Sequence, residues 1–282
     1  MNYGNKIAVS ANNHLIAIYD KSDNFNNVIE CTGHNNNIPC IDFSQNGKYI
    51  ASISIDNYLR IWNVNNGKCI KSKFISNEWG WSVKWIYSKS IRGITLSNTN
   101  WQTIRNSLNQ YFPNMNNNIF DNEIQEEIQE DDKEELNKMN ELIVCCTMHH
   151  IFLCNCNIEI IASLYNGMPR SIIPVPAFMR HMERISFIDY IPEFSTLIVG
   201  SQGCCTVMLM KIVKNINTGD YLLIPQKIIP EDPVPSPLIG MTISKHISNN
   251  IQNRSFVIIY LLYQNRSMYS FEIILQNPTF EY

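Results

Sequence analysis

The chain has 282 residues, 45% of them hydrophobic and 17% charged, and a formal net charge of -3. That is enough apolar material for one large core or two small ones. The charge argues against a protein that grips nucleic acid by neutralising phosphates. No segment reaches the roughly 18 to 20 unbroken apolar residues of a membrane helix, and the opening "MNYGNKIAVS" lacks a basic then apolar leader. The expectation is a soluble, intracellular-type protein with no membrane contact and no direct nucleic-acid partner. Nine cysteines are an odd number and, in that setting, are expected to be reduced thiols. The sequons at Asn253 and Asn265 are correspondingly expected to be unglycosylated.

Taken in order, the chain reads as short β-strands between Asn, Gly and Ser turns. "KIAVSA", "LIAIYD" and "VIECT" come first, then "IPCIDF", "YIASIS", "YLRIWNV" and "CIKSKF", then "WSVKWIY". From about Ile91 to Asn140 the strand pattern stops. This span holds an asparagine-rich stretch and then "DNEIQEEIQEDDKEE", with nine acidic residues and one lysine, so the rest of the chain carries a basic excess. It reads as an inserted acidic, largely disordered loop with a short helix around Trp101 to Phe112. A solvated insertion is the plain reading, and an acidic docking segment for a basic partner is the alternative. Strands resume with "LIVCCT", "IFLCN" and "IEIIASL", followed by "RISFIDYI", "TLIVGS", "CTVMLMKIV", "LIGMTIS", "SFVIIYLLY" and "MYSFEII". The organisation is therefore residues 1–90, an insertion over 91–140, and residues 141–282.

So many short strands at regular spacing imply a sandwich, a barrel or a propeller. Gly33 to Asn63, "GHNNNIPCIDFSQNGKYIASISIDNYLRIWN", decides among them, because it resembles a WD repeat along its whole length. It has the Gly33-His34 start, Ser54-x-Asp56 before the third strand, and Trp62-Asn63 where the family usually has Trp-Asp. The resemblance implies an all-β, WD-repeat-like β-propeller in which His34, Ser54, Asp56 and Trp62 form a buried hydrogen-bonded tetrad. Read as a Ser/His/Asp catalytic triad, the same residues lack a nucleophile elbow or oxyanion motif, so no enzymatic activity and no cofactor are expected.

Phasing from this repeat gives a preceding blade over Lys6 to Asp20 and Val28 to Cys31. The next begins at Glu78 to Tyr87, is interrupted by the insertion, and resumes with Leu142 to Thr147, His150 to Cys154 and Ile158 to Leu164. Another follows from Arg184 to about Ile229, and an incomplete one from Leu238 to Leu275. Such a set of about four to five blades is expected to be part of a larger propeller. "IAVSANNHLIAIYD", "PSPLIGMTIS" and "RSFVIIYLLYQNRSMYSFEI", with the repeat itself, resemble the fungal WD-repeat regulators of ribonucleotide reductase transcription. That resemblance implies a non-enzymatic regulator of nucleotide supply and the DNA-damage response, in nucleus or cytoplasm, with transcription regulators or a cullin-type ubiquitin ligase adaptor as partners. The Trp-Asp-x-Arg adaptor-docking signature is absent, since the chain reads Trp62-Asn63-Val64-Asn65.

Candidate contact residues are Trp79, which heads a Trp79, Trp81, Trp85 stripe expected on one face of a strand, and Arg170 and Arg180 in a Pro- and Met-rich connection. Pro225 to Leu238 reads as a rigid extended linker. "CCTMHHIFLCNC" packs four cysteines and two histidines into Cys145 to Cys156. Adjacent strand residues point to opposite faces and the spacing misses a structural zinc pair. A buried hairpin is therefore the main reading, with a site on Cys154, Cys156, His149 and His150 as the weak metal alternative.

Overall fold

The computed structural model describes residues 2–10, 12–111, 134–136, 138–165, 167–168, 182–232, 234–247 and 255–274. The first sheet is β1 (Asn2–Tyr3), β2 (Lys6–Ser10), β3 (Ile16–Asp20) and β4 (Val28–Cys31), paired antiparallel in chain order. The second is β5 (Cys40–Phe43), β6 (Tyr49–Ile53), β7 (Tyr58–Asn63) and β8 (Cys69–Phe74), again in chain order. The next strand, β9 (Ser82–Tyr87), opens a third sheet that is completed only after the insertion. Within the insertion lie β10 (Arg92–Ile94) and helix α1 (Asn98–Tyr111). The third sheet then resumes with β11 (Glu141–Cys146), β12 (His150–Cys154) and β13 (Ile160–Tyr165), adjacent in the order β9, β11, β12, β13.

The fourth sheet holds β14 (Ile185–Ile191), β15 (Thr196–Ser201), β16 (Thr206–Asn215) and β17 (Tyr221–Ile229). The fifth has β18 (Leu238–Ile247), β19 (Ser255–Tyr263) and β20 (Met268–Ile274). These are the blade positions anticipated from phasing on the WD-like repeat. Apart from the short β1 and β10, the strands run four to ten residues in hairpin sequence, the expected product of β-branched runs punctuated by Asn and Gly turns.

Sheets two to four bury both faces and sheets one and five bury one, where Val9, Val28, Leu262 and Ile274 stand exposed on the other, and the cores lie between sheets. Ala8, Ile16 and Ile18 pack against Ile41, Phe43, Ile50 and Trp62 between sheets one and two. Ala51, Ile53, Leu59 and Ile61 meet Val83, Trp85, Ile143 and Phe152 between two and three. Val144, Ile151 and Leu153 meet Leu197, Val199 and Met210 between three and four, and Ile198 and Val207 meet Ile259, Leu261 and Tyr263 between four and five. The strand that opens each sheet from the second onward contacts the corresponding strand of its neighbour, so the sheets curl about a common inner edge as propeller blades do.

The insertion is tied to this frame at two points. β10 runs parallel to the end of β16, pairing Arg92 to Val213 and Ile94 to Asn215. In α1, Trp101 is buried against Val213 and Leu222, with Ile104 and Leu108 beside it. The helix fulfils the expectation of one near Trp101, but the three-residue strand preceding it carried no alternating signal. Residues 112–133, the bulk of the acidic run, lie outside the described residues. Where the chain returns, Leu136 enters the core between sheets two and three and Tyr49 Oη donates to Glu135 Oε2 at 3.1 Å. Pro225, read as the start of a linker, instead sits within β17 opposite Met210, where a register shift accommodates it. β17 is an outer strand, where a proline without an N–H is tolerated.

Candidate interaction site

Two kinds of connection gather on one rim of the blades: those that lead into a sheet's first strand, and those that join its second strand to its third. They are stitched from sheet to sheet by backbone bonds. Gly80 N–H donates to Ser54 O at 3.1 Å, Ile185 N–H to Thr147 O at 3.3 Å and Leu238 N–H to Gln202 O at 3.1 Å. Gly80 has to be glycine, since a Cβ there would lie 2.2 Å from Ile53 Cγ1 and 2.8 Å from Ser54 O.

In the second sheet the WD-like network forms, with one change of member. His34 Nδ1 donates to Asp56 Oδ2 at 2.8 Å, and Asp56 also accepts the N–H groups of Asn35 and Tyr58 at 2.9 and 3.0 Å. The hydroxyl that continues the chain belongs to Ser52, not Ser54. Ser52 Oγ donates to His34 Nε2 at 2.7 Å and accepts from Trp62 Nε1 at 2.7 Å. The reason is strand alternation: Ile50 and Trp62 are cross-strand partners that both pack toward the first sheet, and Ser52 follows Ile50 on that face. Ser54 lies past the end of β6, where its hydroxyl donates to Asn37 O at 2.9 Å and accepts Asp56 N–H at 3.1 Å. It shapes the turn that aims Asp56. Burial lowers the His34 pKa against the pull of Asp56, which matches a neutral ring that donates at Nδ1 and accepts at Nε2. Burial pushes the Asp56 pKa up, but the bonds from His34 and from backbone N–H groups outweigh it and hold the carboxyl at about 2.

The third sheet carries the same frame with its charges exchanged. Asp56 is the third residue past the end of β6, and His149 is the third past the end of β11. The residue on the connection into the sheet, His34 in the second, is Glu78 here. Its carboxylate accepts from His149 Nδ1 at 2.9 Å, His150 Nδ1 at 3.1 Å, Thr147 Oγ1 at 2.5 Å and His149 N–H at 3.1 Å. Burial alone would raise the Glu78 pKa, yet these bonds hold it well below the usual carboxylate range. The bond to Glu78 in turn raises the His149 pKa. Cys145 and Cys154 take the positions of Ser52 and Trp62. Their thiols hydrogen-bond, and that bond together with burial pushes the Cys145 pKa well above its ordinary value.

This placement divides the Cys/His cluster. His149 and His150 stand at the rim on Glu78, while Cys154 and Cys156 lie at the opposite end of β12, where Cys156 Sγ donates to Glu141 O at 3.1 Å. Four strand residues separate the two pairs by about 13 Å, so the metal alternative on Cys154, Cys156, His149 and His150 lacks the geometry. Among the described residues no group of three or more His, Cys, Asp or Glu side chains is placed to hold a metal ion.

The tryptophan stripe is not a stripe. β9 begins only at Ser82, so Trp85 is buried in the core while Trp79 and Trp81 sit on the connection before it. Trp79 is 46% exposed and meets Trp81 edge-on, ring centroids 6.3 Å apart. The Arg184 guanidinium lies over the Trp81 ring at 4.3 Å and donates through Nη2 to Gln202 Oε1 at 3.3 Å. Arg170 and Arg180 lie outside the described residues. Sequence reasoning missed Glu78, Ser52 and Arg184. Aligning the third blade's turn "TMHH" with the "SIDN" of the second would have exposed the exchanged pair and pointed back to Glu78.

Blades stacked by their faces, and a Ser52-bridged His–Asp–Trp network in one of them, define a propeller fold carrying a WD repeat. Residues 25–63 match the family described as WD domain, G-beta repeat. The chain is similar to a WD40 repeat-containing protein of Dictyostelium discoideum, 39% identical over 82 residues that make up 28% of this chain and 12% of that protein. It is also similar to an uncharacterized WD repeat-containing protein of Schizosaccharomyces pombe, 25% identical over 288 aligned positions covering 84% of this chain and 59% of that protein. The chain thus spans less than two thirds of the length of either relative.

Proposed function

We propose that this chain is a non-enzymatic protein-interaction scaffold that docks partners on the rim at the third and fourth blades. The observation that carries this reading is the exposed Trp79, braced edge-on by Trp81 beneath a stacked Arg184. Aromatic and arginine side chains held rigidly in the open are the groups that dominate protein interfaces. Within that reading we propose the narrower role of a regulator of ribonucleotide reductase transcription, acting in nucleus or cytoplasm. Its support is the resemblance of Ile7 to Asp20, Pro235 to Ser244 and Arg254 to Ile273 to that family. A receptor role on a cullin-type ligase would use a surface other than the end of β7, where Asn63 and Asn65 replace the docking pair and Asn63 Oδ1 accepts Asn65 N–H at 2.9 Å.

The test is crosslinking and mass spectrometry on the full-length protein in its own cells, comparing wild type with Trp79→Ala. Partners crosslinked at the rim and lost in Trp79→Ala are expected, and crosslinks confined to other surfaces would overturn the rim assignment. Reductase transcripts that stay at their normal level on deletion of the gene would remove the narrower role.

A further inference from the structure

Resting on the scaffold reading, we propose that the Arg184–Trp81 stack beside Trp79 is a receptor for the side-chain carboxylate of an aspartate or glutamate presented by a partner protein. Arg184 is a half-buried cation with no carboxylate in ion-pair distance among the described residues; its one side-chain hydrogen bond goes to the neutral Gln202. Its Nε is enclosed without an acceptor, and so is the indole N–H of Trp81 beneath it. A guanidinium drawn partly out of water without a counter-charge is costly, and its planar fork is matched to a carboxylate. The acid nearest in the chain to this aromatic pair, Glu78, is already occupied by Thr147, His149 and His150. Among the described residues the cation thus has no acid partner: Glu78 is committed to its own rim contacts, and the adjacent Glu183 makes no ion pair with it.

The platform is also stiff. Ser82 Oγ donates to Ile185 O at 2.9 Å and Ser201 Oγ to Glu183 O at 2.9 Å, on either side of Arg184. Gly203 packs so closely beneath this connection that a Cβ would lie 2.6 Å from Met182 O. A preformed site spends little on ordering when a ligand arrives. Beside the cation, Trp79 offers an apolar shelf for the residue next to the acid. The charge balance selects a carboxylate over a phosphoryl group. Among the described residues the stack holds one guanidinium, Glu78 sits on the same connection as Trp79 and Trp81, and Glu183 is near enough to act on His149, so a dianion would meet repulsion that a monoanion largely escapes.

The experiment uses the full-length, 15N-labelled protein and three capped tripeptides, Leu-Asp-Phe, Leu-Asn-Phe and Leu-phosphoserine-Phe. The Trp81 indole and Arg184 Nε–H resonances are followed during titration. The aspartate peptide should move both to saturation, and the asparagine peptide should bind about tenfold more weakly or worse. Arg184→Gln should erase that preference, with Arg184→Lys retaining part of it. Equal binding of the aspartate and asparagine peptides, tighter binding of the phosphoserine peptide, or no response to any of them overturns the proposal, and none of these outcomes depends on a variant folding. Should the wild type keep its Trp79-dependent partners while the acid preference is missing, only this inference falls. Loss of those partners is instead the failure of the scaffold reading.

Discussion

Replacing Ser52 by alanine should destabilise the fold more than replacing Ser54, although the family spacing would have favoured Ser54 as the bridge. The Ser52 hydroxyl is the hydrogen-bond partner of two buried groups, His34 Nε2 and Trp62 Nε1, each at 2.7 Å. Its removal orphans both, and an unsatisfied buried polar group costs about 1 to 3 kcal/mol, giving a loss of about 3 to 4 kcal/mol. Ser54→Ala leaves Asp56 N–H as the buried group without a partner, because Asn37 O keeps its bond from Ile55 N–H at 3.0 Å and the other acceptor of the hydroxyl, Asn36 O at 3.3 Å, belongs to an exposed residue open to water. A loss of about 1 to 2 kcal/mol follows. At about 2 to 4 °C per kcal/mol for a large domain, Ser52→Ala should lower Tm by of order 10 °C and Ser54→Ala by less than half of that. Urea unfolding monitored by tryptophan fluorescence and thermal unfolding by circular dichroism would measure both, with an unchanged urea slope showing that stability alone has moved. A Ser54→Ala loss equal to or larger than that of Ser52→Ala would refute the assignment of the bridge.

Gly80→Ala should destabilise the protein by about 2 to 3 kcal/mol, as overpacking does, because the new Cβ meets Ile53 and the Ser54 carbonyl; a Tm unchanged from wild type would contradict this. Burial pushes the Asp42 carboxyl up to about 6, while it accepts Trp85 N–H at 2.8 Å. Its folded pKa exceeds the unfolded value, so its favourable contribution is present below about pH 4 and is lost as pH rises through 6. Asp42→Asn keeps the acceptor, and the variant should gain stability relative to wild type by a margin that grows from near zero at about pH 4 to about 2 to 3 kcal/mol at about pH 7, read by denaturant titration at each pH. The Glu78–His149 pair has the opposite logic on its two sides. Depression of the Glu78 pKa gives a contribution present above about pH 4.5 and lost as pH falls, and elevation of the His149 pKa gives one present below about pH 6.5 and lost as pH rises. The stability difference between wild type and Glu78→Gln should therefore peak between those values, and a difference that keeps growing toward pH 9 would show that the imidazoles are not engaged with this carboxylate.

Alternating Ile, Val, Tyr and Phe between Asn and Gly turns sufficed to place nearly every strand, because the two-residue period of a strand is written locally. The Gly33 to Asn63 segment sufficed to set the phase of the blades, because its turn residues recur at fixed offsets. Local pattern could not decide which serine bridges His34 and Trp62. That choice depends on which face of β6 meets the first sheet, and on Ile50 standing opposite Trp62 across the strand pair. Nor could it show that the histidines of "CCTMHHIFLCNC" turn to Glu78 while its cysteines turn into the core, since Glu78 lies 71 residues from His149 on the far side of the insertion. Trp81 and Arg184 are as remote in sequence, and they meet only because the connections into sheets three and four share one rim. Strand identity and blade phase are local properties of the chain, and the sequence determines them. The partners of each buried polar group are chosen by how the sheets stack, and the tertiary structure decides them.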